Sequence, residues 1–413
     1  MIKALIAFLL LSSSAFAETI QIRNAGPAAI NTAGNTFLYL TGTSIGTTEA
    51  FRQVISPSAG NFRNMRVLLS ADPSNGAGVQ SVTVALRVAG SSSALSCTIS
   101  EGSTTCTDSD TVAVTAGQTL GYIVTGTNTP TASNVEVTIE YVDGIAQSHM
   151  QNFGAAGDLS ATANTYMNLA VSSFSATENN VQLPMPTSGT ITALYVALTG
   201  SPNNGGGTQS YITTVWKNGS APAGTLTCTI SEAGTTCNDT ANSVTFVAGD
   251  TISVEVDPVN TPTVRSIKGG LAFNLDREGE FIIACGTDGV MSATATQYKG
   301  INGGGSWNAT ESVVDQASNT FLVSAIYVEL SADPDLGLDL QTYDFTIRDD
   351  ASSTGCTCQV ASGATTCNAT CDSTVVVDSQ MSVEQVPTTL PTAVVGNVGI
   401  LAFNNPRRII YIN

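Results

Sequence analysis

Nine cysteines, one histidine and 32 carboxylates are the side chains of this 413-residue chain best placed to do chemistry. Six of the cysteines share one pattern. CTISEGSTTC runs from Cys97 to Cys106, CTISEAGTTC from Cys228 to Cys237 and CQVASGATTC from Cys358 to Cys367. A cysteine, eight residues and a second cysteine fit a β-hairpin bridged across its two strands. Zinc sites instead prefer cysteines two to four residues apart, with four ligands together. The spacing therefore predicts three structural disulfides. Each closes a ten-residue loop, worth about 2.7 kcal/mol in a chain-entropy treatment. Cys356 and Cys371 flank the third pair and predict a second rung beside it. A metal held by Cys356, Cys358, Cys367 and Cys371 is the competing reading. Cys285, in Phe281-Ile-Ile-Ala-Cys285, is expected as a buried thiol in a first strand, with an intermolecular bridge as the alternative.

No catalytic, cofactor-binding or metal-binding set emerges from the rest. His149 is expected to be a solvated linker residue; no Gly-x-Ser-x-Gly elbow accompanies it, and a triad needs a nucleophile and an acid at hand. One histidine cannot build a histidine-based zinc or iron site. The glycine runs at 203–207 and 303–305 lack the Lys-Ser/Thr of a phosphate loop and are expected as turns or loop tips. Paired carboxylates could hydrolyse a glycoside, but no unit carries an insertion large enough to build a cleft. Asp333, Asp335 and Asp339, with Asp349-Asp350 nearby, are either a plain acidic turn or a calcium loop. Trp216 fits a core or rim position. Trp307, beside Gly303-Gly-Gly305, is expected to be more exposed, where it could stack on a sugar. Asn218, Asn238, Asn308 and Asn368 head glycosylation sequons that count only in a host that uses them.

Residues 1–17 carry Lys3, an apolar run from Ala4 to Leu11, and Ala15-Phe16-Ala17, the pattern of a cleaved secretory signal. No later stretch approaches the ~20 apolar residues of a spanning helix. The expected location is secreted, cell-surface or periplasmic, without membrane insertion. A formal charge of −18 argues against nucleic acid, whose binding rests on lysine and arginine.

The elements that must position these residues repeat. Cys97, Cys228 and Cys358 lie 131 and 130 residues apart. Asn35-Thr36-Phe37, Asn164-Thr165-Tyr166 and Thr296-Gln297-Tyr298 recur at similar spacing. So do Thr48-Glu49, Thr177-Glu178 and Thr310-Glu311. Met65/Val67/Leu69, Leu194/Val196/Leu198 and Ile326/Val328/Leu330 alternate, as core-facing strand positions must. Proline turns follow at Pro73, Pro202 and Pro334, and again at Pro130, Pro262 and Pro391. This is a tandem repeat: a signal at 1–17, then units at 18–144, 145–276 and 277–413, the last with a C-terminal strand. The second unit predicts strands near 147–153, 163–171, 178–185, 190–199, 209–217, 224–231, 234–239, 243–248, 250–257 and 263–274. Eight or more short strands in ~130 residues fit an all-β jelly-roll sandwich better than an immunoglobulin-type unit of about 100.

Val244-Thr-Phe-Val-Ala-Gly-Asp-Thr-Ile-Ser-Val-Glu-Val256 resembles the penultimate-strand region of C1q/TNF-like jelly rolls. Gly-Gly-Leu-Ala-Phe at 269–273 and Gly-Ile-Leu-Ala-Phe at 399–403 resemble that family's last strand. The resemblance implies trimeric association. Three units in one chain would then form an intrachain pseudo-trimer, and the short linkers favour packed neighbours. The expected function is non-enzymatic: binding or adhesion, with loops presented to a glycan or protein ligand on a surface. The alternative is a structural subunit of a filament, coat or surface layer, joined to copies of itself through Thr19–Arg23 and the apolar tail at 406–413.

Overall fold

The computed structural model describes residues 20–404 apart from 43–44, 77, 144–147, 156, 171–173, 288, 302, 304, 314–315, 318, 336, 338–339 and 378. The signal segment, the first linker, Asp339 and the apolar tail thus lie outside the described residues. Among the described residues, short β-branched runs broken by Gly, Pro and Asn leave no helix beyond three 3₁₀ turns at Glu49–Phe51, Glu178–Asn180 and Glu311–Val313.

The strands fall into three like sets. The first is β1 (Ile20–Ala29), β2 (Asn35–Leu38), β3 (Ile45–Gly46), β4 (Val54–Ile55), β5 (Gly60–Leu69), β6 (Ser81–Val88), β7 (Ser91–Ser100), β8 (Thr105–Asp108), β9 (Val112–Val114), β10 (Thr119–Thr127) and β11 (Asn134–Asp143). The second is β12 (Ser148–Gly154), β13 (Thr165–Met167), β14 (Phe174–Ser175), β15 (Leu183–Pro184), β16 (Gly189–Leu198), β17 (Ser210–Lys217), β18 (Thr227–Ser231), β19 (Thr236–Asp239), β20 (Val244–Phe246), β21 (Thr251–Val259) and β22 (Ile267–Leu275). The third is β23 (Glu280–Cys285), β24 (Gln297–Gly300), β25 (Gln316–Ala317), β26 (Phe321–Leu330), β27 (Thr342–Asp349), β28 (Ser352–Val360), β29 (Thr366–Val375), β30 (Gln380–Thr388) and β31 (Gly396–Phe403).

Each set makes two antiparallel sheets. In the first they run β1-β11-β5-β8 and β3-β2-β10-β6-β7; the others repeat this as β12-β22-β16-β19 with β14-β13-β21-β17-β18, and β23-β31-β26-β29 with β24-β30-β27-β28. Among the long strands the β6–β7 type of connection stays within its sheet as a hairpin, as does the short β2–β3 pair. The other links between principal strands cross the sandwich, which is the strand order of a jelly roll. The fold is three tandem jelly rolls. Between the sheets lie separate cores, built on Met65, Val67 and Leu69, on Leu194, Val196 and Leu198, and on Ile326, Val328 and Leu330. The stretch at 178–185, expected as one strand, is instead a 3₁₀ turn followed by the two residues of β15.

The disulfides join Cys97 to Cys106, Cys228 to Cys237, Cys358 to Cys367 and Cys356 to Cys371. The pairing is not that of a bridged hairpin. Cys97 sits on β7, paired with β6 in one sheet; Cys106 sits on β8, paired with β5 in the other. The bridges therefore staple sheet to sheet at a corner of each sandwich. The intervening eight residues form the crossover, a geometry the sequence spacing shares with a hairpin. Cys356, Cys358, Cys367 and Cys371, the candidate metal set, are joined in two bridges, which corrects the competing metal reading.

The units pack in a ring. β4 of the first lies on β12, β16 and β22 of the second; β15 of the second lies on β26 and β31 of the third; β25 of the third lies on β1 and β11 of the first. The opening strands at the centre explain why the ring closes. All seven residues of β12 and all six of β23 are buried, because each strand serves two cores. From β23, Phe281, Ile283 and Cys285 enter their own core, while Ile282 and Ala284 enter the core of the second unit. From β12, Phe153 enters its own core and Met150 that of the first unit. Cys285 takes part in none of the disulfides and is buried there.

Met150→Ala therefore deletes part of the first unit's core from the second unit's strand. The expected loss is about 2–5 kcal/mol of unfolding free energy, the range for large-to-small changes at buried sites. Urea unfolding of the whole chain measures it; a loss below ~1 kcal/mol would contradict shared use of the strand.

Candidate functional site at the inter-unit seams

β1, β12 and β23 are each the end strand of their sheet, and beyond single bridges from β1 to Gly42 and from β12 to Ala170 no further strand pairs with them among the described residues. Their free edges meet at the ring's centre, where unpaired backbone groups would be costly. Side chains satisfy them. Gln21 donates from Nε2 to the Met150 carbonyl (2.8 Å) and accepts from the Met150 amide (3.0 Å), so one amide group imitates a strand partner. Arg23 donates to the same carbonyl (3.0 Å) and to Asn152 Oδ1. One unit on, Gln151 donates to the Ile282 carbonyl (2.7 Å). Gly26 and Gly154 occupy matching left-handed positions at φ +103° and +139°. Counting from them, Arg23, Gln151 and Ile283 are equivalent residues. The third has no donor to offer.

His149 is fully buried on β12, its ring 4.9 Å from that of Phe273. The sequence places it beside a linker, but the strand starts one residue earlier, at Ser148, and carries it inward. This corrects the expectation of a solvated histidine. Burial first, and the Arg23 charge second, hold its pKa down to about 3. Burial likewise lowers Arg23 to about 10, still charged at neutral pH, and raises Tyr122 and Tyr141. The cluster is a neutral imidazole beside a buried cation.

Outside the centre the three seams differ in chemistry. Strand register aligns the rows Asn152–Gly270–Tyr195, Ala284–Gly399–Tyr327 and Asn24–Thr138–Arg66. Gly270 and Gly399 allow backbone-to-backbone approach. A Cβ there would lie 2.2 Å from the Ile55 carbonyl oxygen and 2.1 Å from that of Pro184. Asn152 donates to Ile55 O (2.9 Å), and Asn397 to Asn180 O (3.1 Å), across the same two seams. A second row is Ala193–Ala272 in the second unit, Ala325–Leu401 in the third, but Arg63–Glu140 in the first. Along these two rows the first two seams present small, apolar and tyrosyl residues, with polar contacts such as Lys268 to Gln53 (2.7 Å) beside them. The third presents Thr138, Glu140, Arg63 and Arg66.

At that third seam an open groove of about 520 Å³ runs between the first and third units. Asn64, Arg66, Asp108 and Glu140 line one wall, and Asn319, Thr320 and Val377 the other. Glu140 is held by Arg63 (3.2 Å), Asn64 (2.7 Å) and, across the seam, Asn319 (3.4 Å). Asp108 accepts from the Ser96 and Asp110 amides at 2.7 and 2.9 Å. Its signal in the sequence is Arg66, a charged residue where the other copies have tyrosine.

The remaining candidates are structural. Trp307 is buried (6 % exposed) against Phe345, with Lys299 5.9 Å over its ring, which corrects the expected exposed loop tryptophan. Gly303 beside it is packed against the first unit: a Cβ there would lie 2.4 Å from Gly42 Cα. Trp216 is half-buried, donating to Glu255 (3.0 Å) with its ring edge-on to Tyr166. Asp333 accepts from the Asp335 and Gly363 amides, and Asp335 from the Gly337 amide and the Ser362 hydroxyl, as in a turn. Among the described residues no group of three or more His, Cys, Asp or Glu side chains could hold a metal. The recurring Thr-Glu pairs open the 3₁₀ turns, where Glu49 pairs with Arg87 (2.8 Å) and Glu311 with Arg348 (2.7 Å).

No protein-family profile and no curated protein matches the chain. Among solved structures it is similar to a protein described under "The Triple Jelly Roll Fold and Turret Assembly in an Archaeal Virus", at 10% identity, covering 93% of this chain and 89% of that one with a TM-score of 0.17. The jelly-roll assignment rests on the strand pairing above.

Two pH effects follow. His149 has a folded pKa near 3 against 6.5 for the free group. Its stabilising contribution is present above pH ~6.5 and lost as the pH falls towards 3. His149→Phe, the residue of the third unit, should flatten the melting temperature over that window. Glu329 runs the other way. Burial, with Glu178 of the second unit adding to it, raises Glu329 to about 7. Stability from this group is full below pH ~4.5 and lost as pH rises through 7. Glu329→Gln should therefore raise the melting temperature at pH 8 and leave it little changed at pH 5. Equal shifts at both values would refute the assignment.

Proposed function

We propose that the chain is an exported, non-enzymatic recognition or adhesion protein, a self-contained pseudo-trimer that offers its loops and one open seam to a glycan or protein on a surface. The observation that carries this reading is that the ring finishes itself. β1 is paired with β11 from Ile20 to Ala29, and every core is completed within the chain. A subunit that polymerised by exchanging its first strand would leave that strand unpaired at home. The C1q/TNF-like resemblance points the same way, towards a trimeric block acting through its surface. The buried polar groups at the centre support strand edges, and the groove carboxylates are bound to neighbouring donors, so neither makes a general acid–base pair. Four disulfides suit an oxidising compartment outside the cytoplasm. No helix among the described residues is long and apolar enough to cross a membrane. The charge of −18 speaks against nucleic acid as partner.

A second reading, a structural subunit of a coat, surface layer or filament, is favoured by the same rigid, cross-linked block, assembling through its faces. Light scattering on the oxidised chain from residue 18 onward, after size-exclusion chromatography, separates the two. The recognition reading expects one species of a single chain's mass, just under the 42.3 kDa of the full sequence, across concentration. Sheets, fibres or ladders that grow with concentration, or when salt screens the repulsion between acidic subunits, would favour the structural reading instead.

A further inference from the structure

We infer that the groove between the third and first units is a binding site for a short, neutral glycan. This rests on the recognition reading above and gives it a location and a ligand class.

The groove exists because one seam was built differently. Where Tyr195 and Tyr327 stand beside Gly270 and Gly399 in the strand register, the first unit places Arg66 beside Thr138. Where the other units carry Ala193–Ala272 and Ala325–Leu401, it carries Arg63–Glu140. The same ring geometry, with bulky and small apolar residues exchanged for polar ones, leaves about 520 Å³ open. That lies within the range of about 300–1,000 Å³ typical of small-molecule sites.

The lining selects the ligand. Arg66 lies in the lining with Asp108 and Glu140, and Arg63, outside the lining, pairs with Glu140 at 3.2 Å, so the four formal charges cancel and an anion or a cation meets attraction and repulsion together. Asn64, Thr107, Ser109, Asn319 and Thr320 supply groups that both donate and accept. A ring of hydroxyls, each able to do both, matches such a wall. An apolar ligand would leave the wall's polar groups unpaired. Several groups are already set in place: three donors fix Glu140, and two backbone amides fix Asp108. No aromatic ring lines the groove, so affinity rests on hydrogen bonds in an open cleft. We expect a Kd on the order of 0.1–1 mM per site, about −4 to −5.5 kcal/mol.

Saturation-transfer NMR on the oxidised chain suits so weak an interaction. The neutral probes are lactose, maltose, cellobiose and N,N′-diacetylchitobiose; digalacturonate is the acidic one. At least one neutral disaccharide should bind, and digalacturonate should bind more weakly. Arg66→Tyr restores the residue of the other two seams and should fill the groove. Thr320→Trp fills it from the exposed opposite wall, in case the first variant disturbs the ring. Each should weaken binding at least about tenfold with the melting temperature held or raised. Binding that survives both variants would remove the site from the groove while leaving recognition standing. Tighter binding of digalacturonate would overturn the neutral class. Binding of none of the four neutral probes would overturn the inference, while the light-scattering result decides the recognition reading by itself.

Discussion

The structure depends on a strand that belongs to two cores. β12 and β23 are buried on both faces, so the jelly roll that follows each one is also part of the wall of the one before. A half-buried strand alternates apolar and polar residues; a strand buried twice cannot. Phe281-Ile-Ile-Ala-Cys285 obeys the second rule. The cost of such a strand is its unpaired edge, buried with the rest. The chain meets that cost with side-chain amides and a guanidinium set against the backbone at Met150 and Ile282, each making the bond a neighbouring strand would make. Gln21, Arg23 and Gln151 are buried polar groups whose role is to end a sheet inside a protein.

From that constraint the asymmetry of the ring follows. The residues equivalent to Arg23 and Gln151 pass to Ile283 in the third unit. The outer sheet face passes from Gly270, Ala272 and Tyr195 to Gly399, Leu401 and Tyr327, and then to Thr138, Glu140 and Arg66. Glycine at the contact lets a carbonyl of the neighbouring unit sit against the sheet. Thr138 stands in its place in the first unit, with Glu140 and Arg66 beside it in a groove of about 520 Å³. Differences at these aligned positions accompany a groove at the third seam.

The architecture was legible because it is written in periods. The cysteine pairs, the alternating triplets and the proline turns each recur at about 130 residues, and jelly-roll strands are short enough to be seen between turn signals. What escaped is what depends on distance in space. A ten-residue loop between cysteines is compatible with a hairpin or with a crossover between sheets, and only the partners of β7 and β8 decide. His149 stands next to a linker in sequence, but its neighbours in space are Phe273 and Arg23. Trp307 lies beside a glycine run that reads in sequence as a turn or loop tip, but at Gly303 another unit's backbone, at Gly42, passes within contact. The groove left one trace, Arg66 in a tyrosine's place. That trace has meaning only once the copies are superposed by strand register.

Covalent continuity explains how an open seam survives. In a trimer of separate chains every interface is the same, and a polar, gapped interface would appear three times and weaken the assembly threefold. In one chain the first two seams hold the third and first units at high effective concentration, so the closing contact adds little more than orientation. It can therefore shed apolar area without dissociating. The four staples act in the same direction. Each ties its two sheets at a corner, so a sandwich that faces a gap on one side keeps its own shape. A tandem jelly roll of this kind can devote one interface out of three to something other than holding itself together, and the polar lining of the third seam is the physical form that freedom takes.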